Sequence, residues 1–130
     1  MNSSLDTNII LRYIFDDVPT QCEKIKKLFT DPSQTLYVSD LVVSEVIFNL
    51  QVRKFSRSDI MNILKGLYEL PNVVFSDFIK GTVLPFYETH PALSFVDCYA
   101  ASEAEKKHWE PLWTFDRKLV NQHPSAKRVV

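Results

Sequence analysis

Four acidic residues stand out because their neighbours are apolar. Asp6 follows Leu5 and precedes the run Ile9, Ile10, Leu11; Glu45 lies in LVVSEVIFNL, Asp97 in LSFVDCYAA, and Asp116 closes LWTFD. An ionised carboxylate buried among apolar side chains is unfavourable unless it is paired or coordinated. Four of them in one small domain form, if they converge, an all-oxygen acidic cluster. Hard cations such as Mg²⁺ or Mn²⁺ suit that donor set. Each acid also has a plainer reading. Asp6 and Asp116 can be N-caps after strands, Asp97 stands three residues after Ser94 in a near capping box, and Glu45 can be the exposed residue of an otherwise buried helix. Asp40 and Asp77, which also adjoin apolar runs, are explained as helix-cap residues.

The elements that must position these acids are legible as short β-like runs alternating with longer helical patterns. That alternation points to a parallel sheet with crossover helices. A strand is expected near Ser3 to Leu5, though Asn2, Ser3 and Ser4 are polar for a central strand. Helices are expected from about Asn8 to Phe15 and from Thr20, where Thr20 to Glu23 has the capping-box form, to about Phe29. Leu36 to Val38 reads as a strand, followed by a helix capped at Ser39-Asp40 and running to about Arg53. A helix from Ser58 to Glu69 precedes the strand Val73 to Phe75. YVSDLVV and VFSDFIK share one pattern of strand, Ser-Asp and helix. The second of these helices, Asp77 to Thr89, contains Pro85, which should kink or interrupt it. A helix from Ser94 to Lys107, a strand at Leu112 to Thr114, a short helix from Asp116 or Arg117 and an edge strand at Arg128 to Val130 complete the chain. In such an open sheet, ligands bind at the carboxyl ends of the strands. Asp6 and Asp116 fall there, with Glu45 and Asp97 in the helices beside those ends.

Composition limits the alternatives. The 130 residues are one domain's worth of chain. A net charge of -1 gives no whole-chain sign of a nucleic-acid partner, so any basic surface must be local. With only Gly66 and Gly81 there is no glycine-rich phosphate loop, which removes P-loop and dinucleotide-binding readings. Cys22 and Cys98 have no zinc spacing, and a reducing cytoplasm is the expected compartment. Nothing in MNSSLDTN looks like a signal peptide, and no apolar run approaches a membrane span, so a membrane partner is not expected.

The segments LDTNIILRYI, YVSDLVVSEVIFNL, FVDCYAA and LWTFDRKLV, in that order, resemble the motifs of PIN-domain ribonucleases, and most closely the VapC-type toxins of prokaryotic toxin–antitoxin pairs. The resemblance covers nearly the whole chain. It implies a single PIN domain over residues 1–130, with an α/β Rossmann-like fold and a central parallel sheet flanked by helices (an α/β/α sandwich). It implies that Asp6, Glu45, Asp97 and Asp116 bind Mg²⁺ or Mn²⁺, that Asn8 supports the first acid, and that Thr114 stands beside the last. It further implies metal-activated attack of water on RNA phosphodiesters, leaving a 5′-phosphate, in a homodimer held inactive by a cognate antitoxin. Within that set, Asp6 is assigned to the principal metal with Asp97 and Asp116 flanking it, and Glu45 to a second metal or the attacking water. The polar first strand and Leu119, where the family often has an aromatic residue, are departures that change no acid.

Cations for RNA are sought at Arg12, Arg117 and Lys118, with Arg53, Lys54 and Arg57 reading rather as a solvated helix end. His90, His108 and His123 share no ligand spacing and read as structural or surface residues. Trp109 and Trp113 read as core or interface residues in preference to base-stacking platforms. Other readings weigh less. A phosphatase using an aspartyl phosphate wants Asp-x-Asp after the first strand and a receiver domain wants adjacent acids, and Asp6-Thr7-Asn8 supplies neither. A processing or quality-control nuclease of the same fold remains open, as does a non-catalytic RNA- or protein-binding module, although no acid is lost.

Overall fold

The computed structural model describes all residues from Met1 to Val130, which pack as two compact units, Met1–Ser76 and Asp77–Val130. In the first unit, strands β1 (Asn2–Ser4), β2 (Thr35–Val38) and β3 (Val73–Phe75) form a parallel ladder in the order β1-β2-β3. The helices α1 (Thr7–Phe15) and α2 (Pro19–Thr30) connect β1 to β2, and α3 (Asp40–Val52) and α4 (Arg57–Tyr68) connect β2 to β3. The parallel, crossover-linked build is the one expected from the alternation of elements.

Strand register explains the residue pattern. Leu36 pairs with Val73 and Val38 with Phe75, and all four are buried. Between them Tyr37 pairs with Val74 on the opposite, partly open face. β1 is an outer strand of this ladder, and Asn2 and Ser4 lie on its exposed side. The polarity that makes β1 a poor central strand suits a ladder with one wet face. Each helix buries an apolar stripe at helical spacing: Ile10 and Leu11 on α1; Cys22, Ile25 and Phe29 on α2; Val43, Val46, Ile47 and Leu50 on α3; Ile60, Met61, Leu64 and Leu67 on α4.

α2 corrects the capping-box reading of Thr20. The helix begins one residue earlier, with Pro19 at its first position and Val18 as an N-cap that makes no side-chain bond. Proline's fixed φ and missing N–H suit that first position, so a polar cap is not required.

The second unit opens with helical Asp77 and Phe78, passes through a π-helical turn at Ile79–Val83 and continues as α5 (Leu84–Thr89). Pro85 cannot donate to Gly81 four residues back, and its ring would crowd that carbonyl. The wider turn relieves the clash, and Leu84 N–H bonds instead to Ile79 O, five residues back. α6 (Phe95–Lys106), β4 (Leu112–Thr114), α7 (Arg117–Gln122) and β5 (Ala126–Arg128) follow, with β4 and β5 paired in parallel. The last strand lies two residues earlier than expected.

The helices carrying Glu45 and Asp97 end alike. At the end of α3, Phe55 N–H bonds to Leu50 O at 3.1 Å and Lys54 N–H to Gln51 O at 2.9 Å. At the end of α6, Trp109 N–H bonds to Ala104 O at 2.8 Å and His108 N–H to Glu105 O at 3.3 Å. Both are Schellman closures, which need a left-handed residue and usually take glycine. Here the positions hold Lys54 (φ 68°) and His108 (φ 58°). A Cβ in that conformation costs about 1–2 kcal/mol. Lys54→Gly and His108→Gly should therefore each raise the unfolding free energy by about 1 kcal/mol in urea titrations, whereas Lys54→Ala should not. Glycine variants no more stable than the alanine variant would show that the strain is relieved elsewhere.

Candidate active site

In the first unit, β1 ends, Leu5 N–H continues the ladder by bonding to Tyr37 O at 2.9 Å, and α1 begins two residues later. Asp6 occupies the junction in extended conformation (φ -82°, ψ 156°) as the N-cap of α1. Its Oδ1 accepts the Thr7 N–H at 2.7 Å. Thr7, which is buried, donates its own hydroxyl to Glu45 Oε2 at 2.7 Å. One threonine thus holds two acids that are 39 positions apart in numbering, Asp6 through its amide and Glu45 through its hydroxyl. Glu45 itself is exposed, on the side of α3 away from Val43, Val46 and Ile47. The start of α3 is set by Ser39, whose Oγ accepts the Val42 N–H at 3.2 Å. Ser76 Oγ donates to Asp40 Oδ1 at 2.7 Å and so ties the end of β3 to the first turn of α3.

In the second unit, Ser94 caps α6 and its Oγ accepts the Asp97 N–H at 3.1 Å. That bond uses Asp97's amide, and the carboxylate is half-exposed in the first turn. Asp116 follows β4 and caps α7. Its Oδ1 accepts Lys118 N–H at 2.8 Å and Leu119 N–H at 3.4 Å, while its own N–H donates to Thr114 Oγ1 at 3.0 Å. Thr114 thereby orients Asp116 through the backbone.

The premise that these acids are buried in apolar company is corrected. Asp6, Glu45 and Asp116 are exposed and Asp97 is half-exposed. Their apolar sequence neighbours point into the core while the acids occupy element ends and an outer helix side. The cap readings of Asp6 and Asp116 hold as geometry. Neither unit by itself gathers three His, Cys, Asp or Glu side chains into a metal-holding group. Each presents two of the four acids, with oxygen donors only, as a hard divalent cation requires.

The remaining candidates divide. Asn8 is exposed in the first turn of α1. Arg12 is engaged within its unit, with Nε bonded to Gln21 Oε1 at 3.2 Å and its guanidinium 3.4 Å from Asp17. Arg53 stacks over the Phe15 ring at 4.1 Å. Arg117 and Lys118 are exposed. Trp109 and Trp113, read from sequence as core or interface residues, are each 62% exposed, which removes the core alternative. Sequence reasoning missed Thr7 as a positioning residue. Its signal was available in a small hydroxyl side chain directly after Asp6, at a position where the helix stripe puts it inside.

His123 is one of the three histidines that sequence reading set aside, and it is buried. It lines a cleft of about 580 Å³ with Asp77, Phe86, Ser102, Glu105 and Lys106. Its Nδ1 accepts Ser125 N–H at 3.1 Å and its Nε2 lies 3.6 Å from Glu105. Burial pushes the imidazole below its ordinary range, Glu105 pulls it back, and His90 pushes down again. The unfolded chain therefore binds a proton that the folded chain resists. Stability is full above the ordinary histidine value of 6.5 and is lost as pH falls through it towards the folded value. His123→Asn keeps an acceptor for Ser125 N–H without the titration. Wild type should lose more melting temperature than this variant when pH falls through that window, and equal losses would mean His123 does not contribute.

The Thr7 bridge has its own test. Thr7→Val should lower stability by about 1 kcal/mol, and Thr7→Ser by less. In a Glu45→Ala background the valine substitution should do much less harm. Additive effects in that double-mutant cycle would mean the two side chains do not act together.

A family model described as the PIN domain matches residues 4–122. No curated protein matches the chain.

Proposed function

The chain belongs to the PIN family, whose members are generally nucleases, and on that premise we propose that it is a metal-dependent endoribonuclease hydrolysing RNA phosphodiester bonds, the toxin of a toxin–antitoxin pair. The observation that carries the reading is the Thr7 bridge, which holds Asp6 at the carboxyl end of β1 and ties Glu45 to the same residue. Asp6, Glu45, Asp97 and Asp116 are the residues that would hold the ion, Mg²⁺ or Mn²⁺. When bound, such an ion makes a coordinated water more acidic and neutralises charge on the scissile phosphate.

The chain's own residues do the positioning. Thr7 limits the rotation of both acids it touches. Ser94 and Thr114 fix the backbone at Asp97 and Asp116 by accepting their amide N–H groups, and Asp116, whose Oδ1 caps α7, keeps its second carboxylate oxygen for another partner. Arg117 and Lys118, directly after Asp116, are placed to meet RNA phosphates, with Arg12 a further candidate. The partners proposed are RNA, a cognate antitoxin and a second copy of the chain. No helix is long and apolar enough to cross a membrane, and Cys22 and Cys98 are free thiols. A cytoplasmic location is proposed on those grounds.

One observation favours a second reading. Asp6 and Asp116 already serve as helix caps, so a non-catalytic module of this fold would keep them too. Asparagine separates the two, because it caps as well as aspartate without the charge. Asp6→Asn, Asp97→Asn and Asp116→Asn should melt within a few degrees of wild type yet each lose nearly all RNA cleavage. Chelation of wild type should do the same, with Mg²⁺ or Mn²⁺ restoring activity. Continued cleavage by purified Asp97→Asn protein would sink the mechanism. Induced alone, the wild-type chain should arrest bacterial growth and the Asp6→Asn form should not; harmless expression of a protein active in vitro would point to a processing or quality-control nuclease.

A further inference from the structure

In the parallel β4–β5 pair, Trp113 is directly opposite Lys127, and Thr114 opposite Arg128. Paired residues project to the same side of a sheet, and residues two apart along a strand share that side. One face of the pair therefore carries Trp113, Lys127 and, beyond the strand, Val129. A shallow groove on it is lined by Trp113, Val129 and Val130. Trp113 is 62% exposed, and Phe115, next to Asp116, is 75% exposed. Large aromatic rings left open to water are informative where an isolated exposed leucine is not. Trp109 differs, because Lys107 Nζ lies 4.6 Å over its ring.

The local charge indicates what such rings would meet. From Pro111 to Val130 the chain carries Arg117, Lys118, Lys127 and Arg128 against one acid, Asp116. The whole chain is nearly neutral, so this is the local basic segment that a polyanion needs. Cations beside open aromatic faces match the chemistry of single-stranded nucleic acid, in which unpaired bases stack on rings and phosphates meet lysine and arginine. An aliphatic protein partner would not call for that charge.

We propose that the Trp113 face of the β4–β5 pair is a stacking platform for the bases of single-stranded RNA, with Lys127 meeting the backbone phosphate. The inference rests on the ribonuclease reading for its ligand class. It makes Trp113 a positioning residue that holds RNA without touching the reacting bond. Stacking of this kind tolerates sequence and discriminates against duplex, whose bases are already stacked on one another.

Binding of short fluorescein-labelled oligouridylate and oligoadenylate, followed by polarisation in EDTA, tests it. Trp113→Leu should weaken binding about tenfold, and Trp113→Phe should recover most of the loss. Lys127→Gln should reduce the salt slope by about one. In Trp109→Phe protein, where Trp113 is the sole tryptophan, its emission should be quenched as oligonucleotide saturates, and duplex RNA should compete poorly. Wild-type affinity in folded Trp113→Leu protein, or unchanged Trp113 emission at saturation, overturns the proposal. So does a change of oligomeric state in Trp113→Leu by light scattering with RNA affinity unchanged, which would assign the face to a protein partner. The two readings fail separately. Trp113-dependent binding without metal-supported cleavage removes the nuclease and keeps the platform, and cleavage with wild-type RNA affinity in Trp113→Leu does the reverse.

Discussion

A parallel strand must hand over to a helix at its carboxyl end, and the first turn of that helix exposes N–H groups with no partner of their own. The structure meets that constraint with the residues singled out for chemistry. Asp6 caps α1 after β1, and Asp116 caps α7 after β4. An aspartate here satisfies the amides with one oxygen and complements the positive end of the helix dipole, while the second oxygen remains for another partner. Cap and ligand are therefore compatible roles.

Thr7 adds what a cap alone lacks. Its amide is held by Asp6 and its hydroxyl holds Glu45, so the start of α1 and the second turn of α3 are locked by one small side chain. Because Thr7 is buried, its hydroxyl needs a protein acceptor. The hydrogen-bond demand of the core thereby places an exposed carboxylate. The Ser76–Asp40 bond does a related job one strand along, tying β3 to the first turn of α3.

Strain is distributed in the same economical way. With two glycines in the chain, neither of them at the close of α3 or α6, those helices close through Lys54 and His108 in left-handed conformation. The two closures terminate the helices that carry Glu45 and Asp97. Pro85 is absorbed by a π-turn without ending its helix. The two left-handed closures cost about 1–2 kcal/mol each, tolerated because packing of the apolar stripes outweighs them.

Periodicity and punctuation alone determined much of this protein. The order of helices and strands, the parallel ladders, the serine caps at Ser39 and Ser94, and the placement of Asp6 and Asp116 just past strand ends all follow from spacing and cap chemistry, which act within a few residues. The motif resemblance agreed with the family match for the same reason, since it rests on short segments in order. Tertiary structure decided the rest. Apolar neighbours in sequence did not make the four acids buried, because burial depends on which side of an element packs, and Glu45 lies on the outer side of α3. The Thr7–Glu45 bond joins residues brought together only by the β1–β2 crossover. Trp113 reads in sequence as a core or interface residue, and the structure leaves its side of β4 uncovered. Whether a face is covered depends on how distant segments pack, and no local pattern records that.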